Sequence, residues 1–88
     1  MFKIKDGIYL EMLEDVAVLL DTMNERVVVL DDEEKNILNA LLCKEMNSVV
    51  AEMLEKYEGE KEIIEQDVRM FSNKLVENGF IEVLENEF

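Results

Sequence analysis

The stretch Gln66-Asp67-Val68-Arg69-Met70-Phe71-Ser72-Asn73-Lys74-Leu75-Val76-Glu77-Asn78-Gly79-Phe80-Ile81 decides the fold. Val68, Phe71 and Leu75 recur at helical spacing and form one apolar stripe on a polar helix. Asn78-Gly79 supplies the stop, because a glycine just past the last periodic residue takes the left-handed backbone that closes a helix. Phe80, Ile81 and Val83 then read as a short apolar strand. A helix that ends on glycine and passes at once into a strand is how the last helix of a winged helix-turn-helix runs into its wing.

Working back from that helix, Val50, Met53, Leu54 and Tyr57 fall at i, i+3, i+4 and i+7 and predict a second helix. Asn47 or Ser48 is its expected cap, and Gly59 its expected end. With the helix from about Glu62 to Asn78 it makes a helix-turn-helix pair. An earlier helix opens at Asp31, with Glu34 three residues on in the spacing of a capping box. Its buried stripe is Ile37, Leu38, Leu41 and Leu42. Val68, Phe71 and Leu75 are expected to pack with Leu38, Leu41 and Leu54.

The first thirty residues read as an antiparallel meander. Ile8–Leu13 alternates loosely, Glu14-Asp15 turns the chain, and Val16–Leu20 is a continuous apolar run. A second turn covers Asp21–Glu25, with Asn24 as the expected positive-φ residue. Arg26-Val27-Val28-Val29-Leu30 is β-branched and reads as the third strand. Val27 and Val29 point one way, Val28 and Leu30 the other, so both faces of this strand are apolar. One face covers the helices; the other is either covered by the end of the first strand and the tail or is a docking surface. The fold class is therefore α+β: a winged helix-turn-helix with an N-terminal three-stranded antiparallel sheet and three helices. A single domain spans 1–88, with strands over about 8–30 and helices over about 32–78. There is no proline, no linker and no internal repeat.

Charge narrows the function. The chain has 9 basic and 22 acidic residues, a net charge of −13. Binding to duplex DNA depends on Lys and Arg neutralising about one phosphate charge per 1.7 Å of axis. Arg69 and Lys74 on the last helix are too few for that, so no nucleic-acid partner is expected. The acid either keeps a small domain soluble or attracts a basic partner segment. Histidine is absent and Cys43 is the single cysteine, which excludes an internal disulfide, a thiolate zinc cluster and a Cys–His nucleophile. Cys43 is expected to pack as a small apolar residue, and its lack of a partner suits a reducing cytoplasm. The three glycines, at 7, 59 and 79, are scattered and make no phosphate-binding loop. The carboxylates show no calcium-loop spacing and no apolar pair. Neither catalysis nor any cofactor or metal is expected. Met1–Lys5 leads into Asp6-Gly7 rather than an apolar signal segment, and no run approaches the roughly 20 apolar residues of a membrane span.

Order and spacing of these elements resemble the PqqD family, the prototype of the RiPP recognition element. The resemblance rests on Leu19-Leu20-Asp21, then Arg26–Leu30, then the polar cap Asp31-Asp32. It continues in Tyr57, Asp67-Val68, Phe71, Leu75 and Gly79-Phe80-Ile81, and so covers about Gly7 to Ile81. Glu25 stands where the family usually has glycine. The resemblance implies a domain that binds the leader of a ribosomally made precursor peptide and presents it to a modifying enzyme, often a radical SAM enzyme. It implies that the leader adds as a strand to the third strand and lies against the third helix. Strand addition is also what an open sheet edge favours, since it pairs free N–H and C=O groups. The expected peptide-binding residues are Arg26, Val27, Val28, Val29 and Leu30 on the strand, with Asp67, Met70, Phe71 and Lys74 on the helix. Met70 and the rim of Phe71 would hold an apolar anchor; Asp67 and Lys74 would read charges. A winged-helix regulator or scaffold binding another protein or DNA is the alternative reading. A monomer or weak homodimer is expected.

Overall fold

The computed structural model describes residues 1–84. In chain order the elements are β1 (Phe2–Ile4), β2 (Ile8–Met12), β3 (Ala17–Asp21), β4 (Arg26–Leu30), α1 (Asp32–Cys43), α2 (Met46–Lys56), α3 (Lys61–Glu77) and β5 (Ile81–Val83). β2, β3 and β4 form an antiparallel meander in that order, the three-stranded sheet read from the sequence. Leu13 N–H donates to the Val16 carbonyl at 2.8 Å and closes the turn at Glu14-Asp15. Ala17, Leu19 and Leu30 face inward and are buried. They join Leu38, Leu75, Phe80 and Ile81 in a core between sheet and helices. A second core of Ile37, Leu41, Val49, Met53, Val68 and their neighbours lies among the helices. Phe71 packs against both cores and so ties α3 to the sheet and to α1 together.

Local chemistry sets the helix ends. Asp31 accepts from Glu34 N–H at 2.8 Å while Glu34 accepts from Asp31 N–H at 3.0 Å, the reciprocal capping box. Gly79 has φ +78. From it the Gly79 N–H reaches the Val76 carbonyl at 3.0 Å and the Phe80 N–H reaches the Leu75 carbonyl at 2.9 Å. That is a Schellman closure, and its customary apolar contact is Phe80 with Leu75 in the first core. Lys35 Nζ donates to the carbonyls of Leu13 and Glu14 at 2.7 and 2.6 Å, which fastens α1 to the β2–β3 turn. Asn36 Nδ2 donates to the Tyr57 hydroxyl at 2.8 Å, fastening α1 to the end of α2.

Several expectations need correction. β1 is an added strand: it pairs antiparallel with β5, Phe2 opposite Val83 and Ile4 opposite Ile81, in a separate two-stranded sheet. Three residues give too little alternation to read, and the partner is at the far end of the chain. α2 starts after Glu45, without a side-chain cap, rather than at Asn47 or Ser48. It ends at Lys56, before Gly59, with the Tyr57 N–H bonded to the Met53 carbonyl at 2.9 Å. Cys43 is exposed at the end of α1, not packed. Phe71 and Leu54 are half-buried, and Ser72 takes a buried place on α3. No helix among the described residues is long and apolar enough to cross a membrane.

The positive φ in the β3–β4 turn belongs to Glu25, at 54°, not to Asn24. Asn24 is instead held by Asp21, which accepts its backbone N–H at 3.2 Å and its Nδ2 at 2.8 Å. Glu25 then has to reverse the chain, at the position where the resemblance leads one to expect glycine. A left-handed backbone costs an L-residue about 1–2 kcal/mol. Glycine removes that cost but adds about 0.4–1 kcal/mol of unfolded-chain entropy. Glu25→Gly is therefore expected to stabilise the domain by up to ~1 kcal/mol, and Glu25→Ala not at all. Urea unfolding midpoints check this; a lower midpoint for the glycine variant contradicts it.

Candidate functional site

β4 is an edge strand: among the described residues it pairs with β3 alone. In antiparallel geometry alternate residues turn their N–H and C=O away from the partner, so the outer side of β4 carries unpaired backbone groups. β4 leads directly into Asp31 and the first turn of α1. Between that turn and α3 lies an open groove of about 300 Å³. Ile37, Met70 and Phe71 give it apolar walls; Asp31, Glu33, Glu34 and Asp67 give it an acidic rim. A smaller depression adjoins it, lined by Tyr57, Ile64 and Val68 and again by Ile37, Glu33 and Asp67.

The nine residues expected from the sequence are placed as follows. Asp67, Met70 and Phe71 come together in the groove. Met70 is 54% exposed and Phe71 is half-buried. Lys74 is exposed a turn further along α3 and is not part of the groove lining. On β4, Val27 and Val29 are 61% and 62% exposed on the outer sheet face. Val28 and Leu30 face the core. The α1 side of the groove, Asp31, Glu33, Glu34 and Ile37, was missed. Its signal was present: Glu33 and Ile37 are four residues apart, hence on one helix face, directly after the edge strand.

Arg26 has a different placement from its β4 neighbours. Its side chain turns inward, with Nε and Nη2 donating to Asp21 Oδ2 at 3.1 and 2.6 Å. The guanidinium also lies over the Phe80 ring, 4.4 Å from its centroid. Arg26 thus joins the β3–β4 hairpin to the residue that closes α3. Asp21 is only 3% exposed, and its charge is met by Arg26 and by both N–H groups of Asn24. Among the described residues no group of three or more His, Cys, Asp or Glu is arranged to hold a metal ion.

Fold and groove together describe an α+β helix-turn-helix domain with an open strand beside a recess. The chain belongs to the PqqD family: residues 16–81 match the model described as coenzyme PQQ synthesis protein D (PqqD). That span runs from the start of β3 to β5 and contains the edge strand and all three helices. Two solved structures extend the likeness across β1 and β2. TbiB1, in complex with the TbiA(beta) leader peptide, is 24% identical with a TM-score of 0.83, over 96% of this chain and 99% of its own. Lasso peptide synthetase B1, complexed with the leader peptide, is 25% identical with a TM-score of 0.85, over 93% of this chain and 98% of its own. No curated protein matches the chain.

The Asp21 site has a pH signature. Hydrogen bonds from the Asn24 side chain, then from Arg26, hold its carboxyl below the ordinary value of 3.8, against the opposing effect of its burial. A carboxyl whose folded pKa is depressed adds stability above its unfolded pKa and loses it as pH falls through the folded one. The domain is therefore expected to lose stability on acidification below about pH 4. Asp21→Asn should be less stable than the parent at pH 7 and should converge on it toward pH 2. Melting temperatures across that range check this; a constant gap between the two proteins contradicts it.

Proposed function

We propose that this protein binds the leader segment of a ribosomally made precursor peptide by strand addition and presents it to a peptide-modifying enzyme. One observation carries the reading. The unpaired edge of β4 lies beside an apolar groove, in a fold shared with two proteins that have leader peptides bound. Backbone pairing along Arg26–Leu30 supplies sequence-tolerant affinity, and the groove supplies choice between side chains. Asp67, Met70 and Phe71 contact the leader in this reading; Lys74 meets it only where the peptide runs past the groove.

The chain itself is read as non-catalytic. It has no histidine, and its one cysteine is exposed at the end of α1. The work of modification falls to the partner, for which family membership favours a radical SAM maturase. Likeness to a lasso peptide synthetase B1 favours instead the other components of such a synthetase. Co-purification with one or the other enzyme separates the two. The outer sheet face, where Tyr9, Leu20, Val27 and Val29 are exposed, is the proposed docking surface for that enzyme. A reducing cytoplasm is the proposed location.

DNA binding is the weaker reading on the structure too. α3 carries Lys61, Arg69 and Lys74 among Glu62, Glu65, Asp67 and Glu77, and Arg69 is paired with Glu65 at 3.0 Å. Calorimetric titration with a synthetic leader peptide tests the proposal. Met70→Glu is expected to abolish binding without altering the melt, because Met70 is exposed and sits on the groove wall. Retained micromolar affinity in that variant places the peptide elsewhere.

A further inference from the structure

We infer that the groove selects a leader strand in which a lysine or arginine stands two residues from the apolar anchor, with Glu33 and Asp67 receiving the cation. This rests on the reading of β4 as the docking strand and specifies the side chains that the docked strand must carry.

Three observations lead there. First, Glu33 on α1 and Asp67 on α3 line both depressions, so one carboxylate stands on each wall where the two meet. Second, the other two carboxylates that line the groove, and several acids and bases near it, are already engaged. Asp31 and Glu34 satisfy each other's backbone N–H groups in the capping box. Glu65 pairs with Arg69, and Glu52 with Lys44 and Lys56. Lys35, the basic residue nearest in sequence to Glu33, is drawn to the carbonyls of Leu13 and Glu14. Among the described residues Glu33 and Asp67 make no ion pair and no side-chain hydrogen bond. Their charge is thus left facing the groove. Third, the spacing fits a strand. Asp67 and Phe71 are four residues apart on α3, about 6 Å along the helix axis. Alternate residues of a strand point to one side and are about 6.8 Å apart. An apolar side chain against Met70 and Phe71 therefore brings its i±2 neighbour to Asp67 and, across the groove, Glu33. The interleaved residue faces away, beside Val27 and Val29, and is left free for the enzyme. Strand direction decides whether the cation precedes or follows the anchor.

The probe is a displayed library of random 12-residue peptides, selected on the purified chain, with enriched peptides then measured singly by fluorescence anisotropy. Enriched peptides are expected to carry Lys or Arg at i±2 from an apolar residue. Replacing that cation by glutamine should weaken binding roughly three- to tenfold, the range for two partly exposed ion pairs. In the variant Glu33→Gln/Asp67→Asn the same replacement should have almost no effect. Enrichment without a basic residue overturns the inference. So does an equal loss in the parent and the variant, since attraction by the overall charge of −13 would then account for it. Peptides that keep their affinity in Met70→Glu overturn the docking reading itself. Peptides that need Met70 but ignore Glu33 and Asp67 overturn the charge assignment alone.

Discussion

The clamp on Arg26 is the constraint from which the geometry of the site follows. Asp21 and Arg26 are opposite each other at the end of the β3–β4 ladder, and their side chains meet on the inner face. The guanidinium then covers Phe80, the residue whose N–H closes α3 onto Leu75. One side chain thus joins the edge strand to the end of the helix that walls the groove. Arginine suits this place because its planar head can donate to a carboxylate in its own plane and stack on an aromatic face. It also explains why an acid can be buried in so small a core: every charge-stabilising donor that Asp21 needs comes from its own hairpin. The strand and the helix end are held together on the inner face, while the outer edge of β4 is unpaired among the described residues.

Much of this was legible in the sequence because it is local. The Asp31–Glu34 box, the stripe of α3, the Asn78-Gly79 stop and the alternation of Arg26–Leu30 each depend on residues close in the chain. The features that were not legible depend on distant partners or on local bonds that residue type does not signal. β1 has only three residues and exists because β5 offers it an edge. Arg26 reads as one more strand residue until its inward turn toward Asp21 and Phe80 is seen. The strained position in the β3–β4 turn went to Glu25 because Asn24, the better left-handed residue by type, is held by Asp21 instead. The α2 boundaries were misplaced because its caps are backbone bonds with no side-chain signature.

The candidate site divides along the same line. The helix side, Asp67, Met70 and Phe71, follows from periodicity: Met70 stands beside the buried stripe and not in it. The α1 side does not, because nothing in the spacing of Glu33 or Ile37 shows which part of α3 lies across from them. The acidic composition reads differently in three dimensions as well. Some of the carboxylates near the helices are engaged: Glu52 by Lys44 and Lys56, Glu65 by Arg69, and Asp31 and Glu34 by each other's backbone N–H groups. At the groove, Glu33 and Asp67 make no ion pair and no side-chain hydrogen bond among the described residues. A surface charge of one sign works on encounter rate and on choice of partner more than on final affinity. That fits the proposed role of selecting one short peptide for a modifying enzyme.

The central claim is that a leader strand pairs with the outer edge of β4. Amide hydrogen exchange, followed residue by residue with and without a saturating leader peptide, tests it directly. The account predicts slowed exchange at alternate amides of Arg26–Leu30, whose N–H groups point away from β3, together with slowed exchange around Asp67–Phe71. The β2 edge should be unchanged. Protection confined to α1 and α2, or spread along β2 with β4 unaffected, would contradict it.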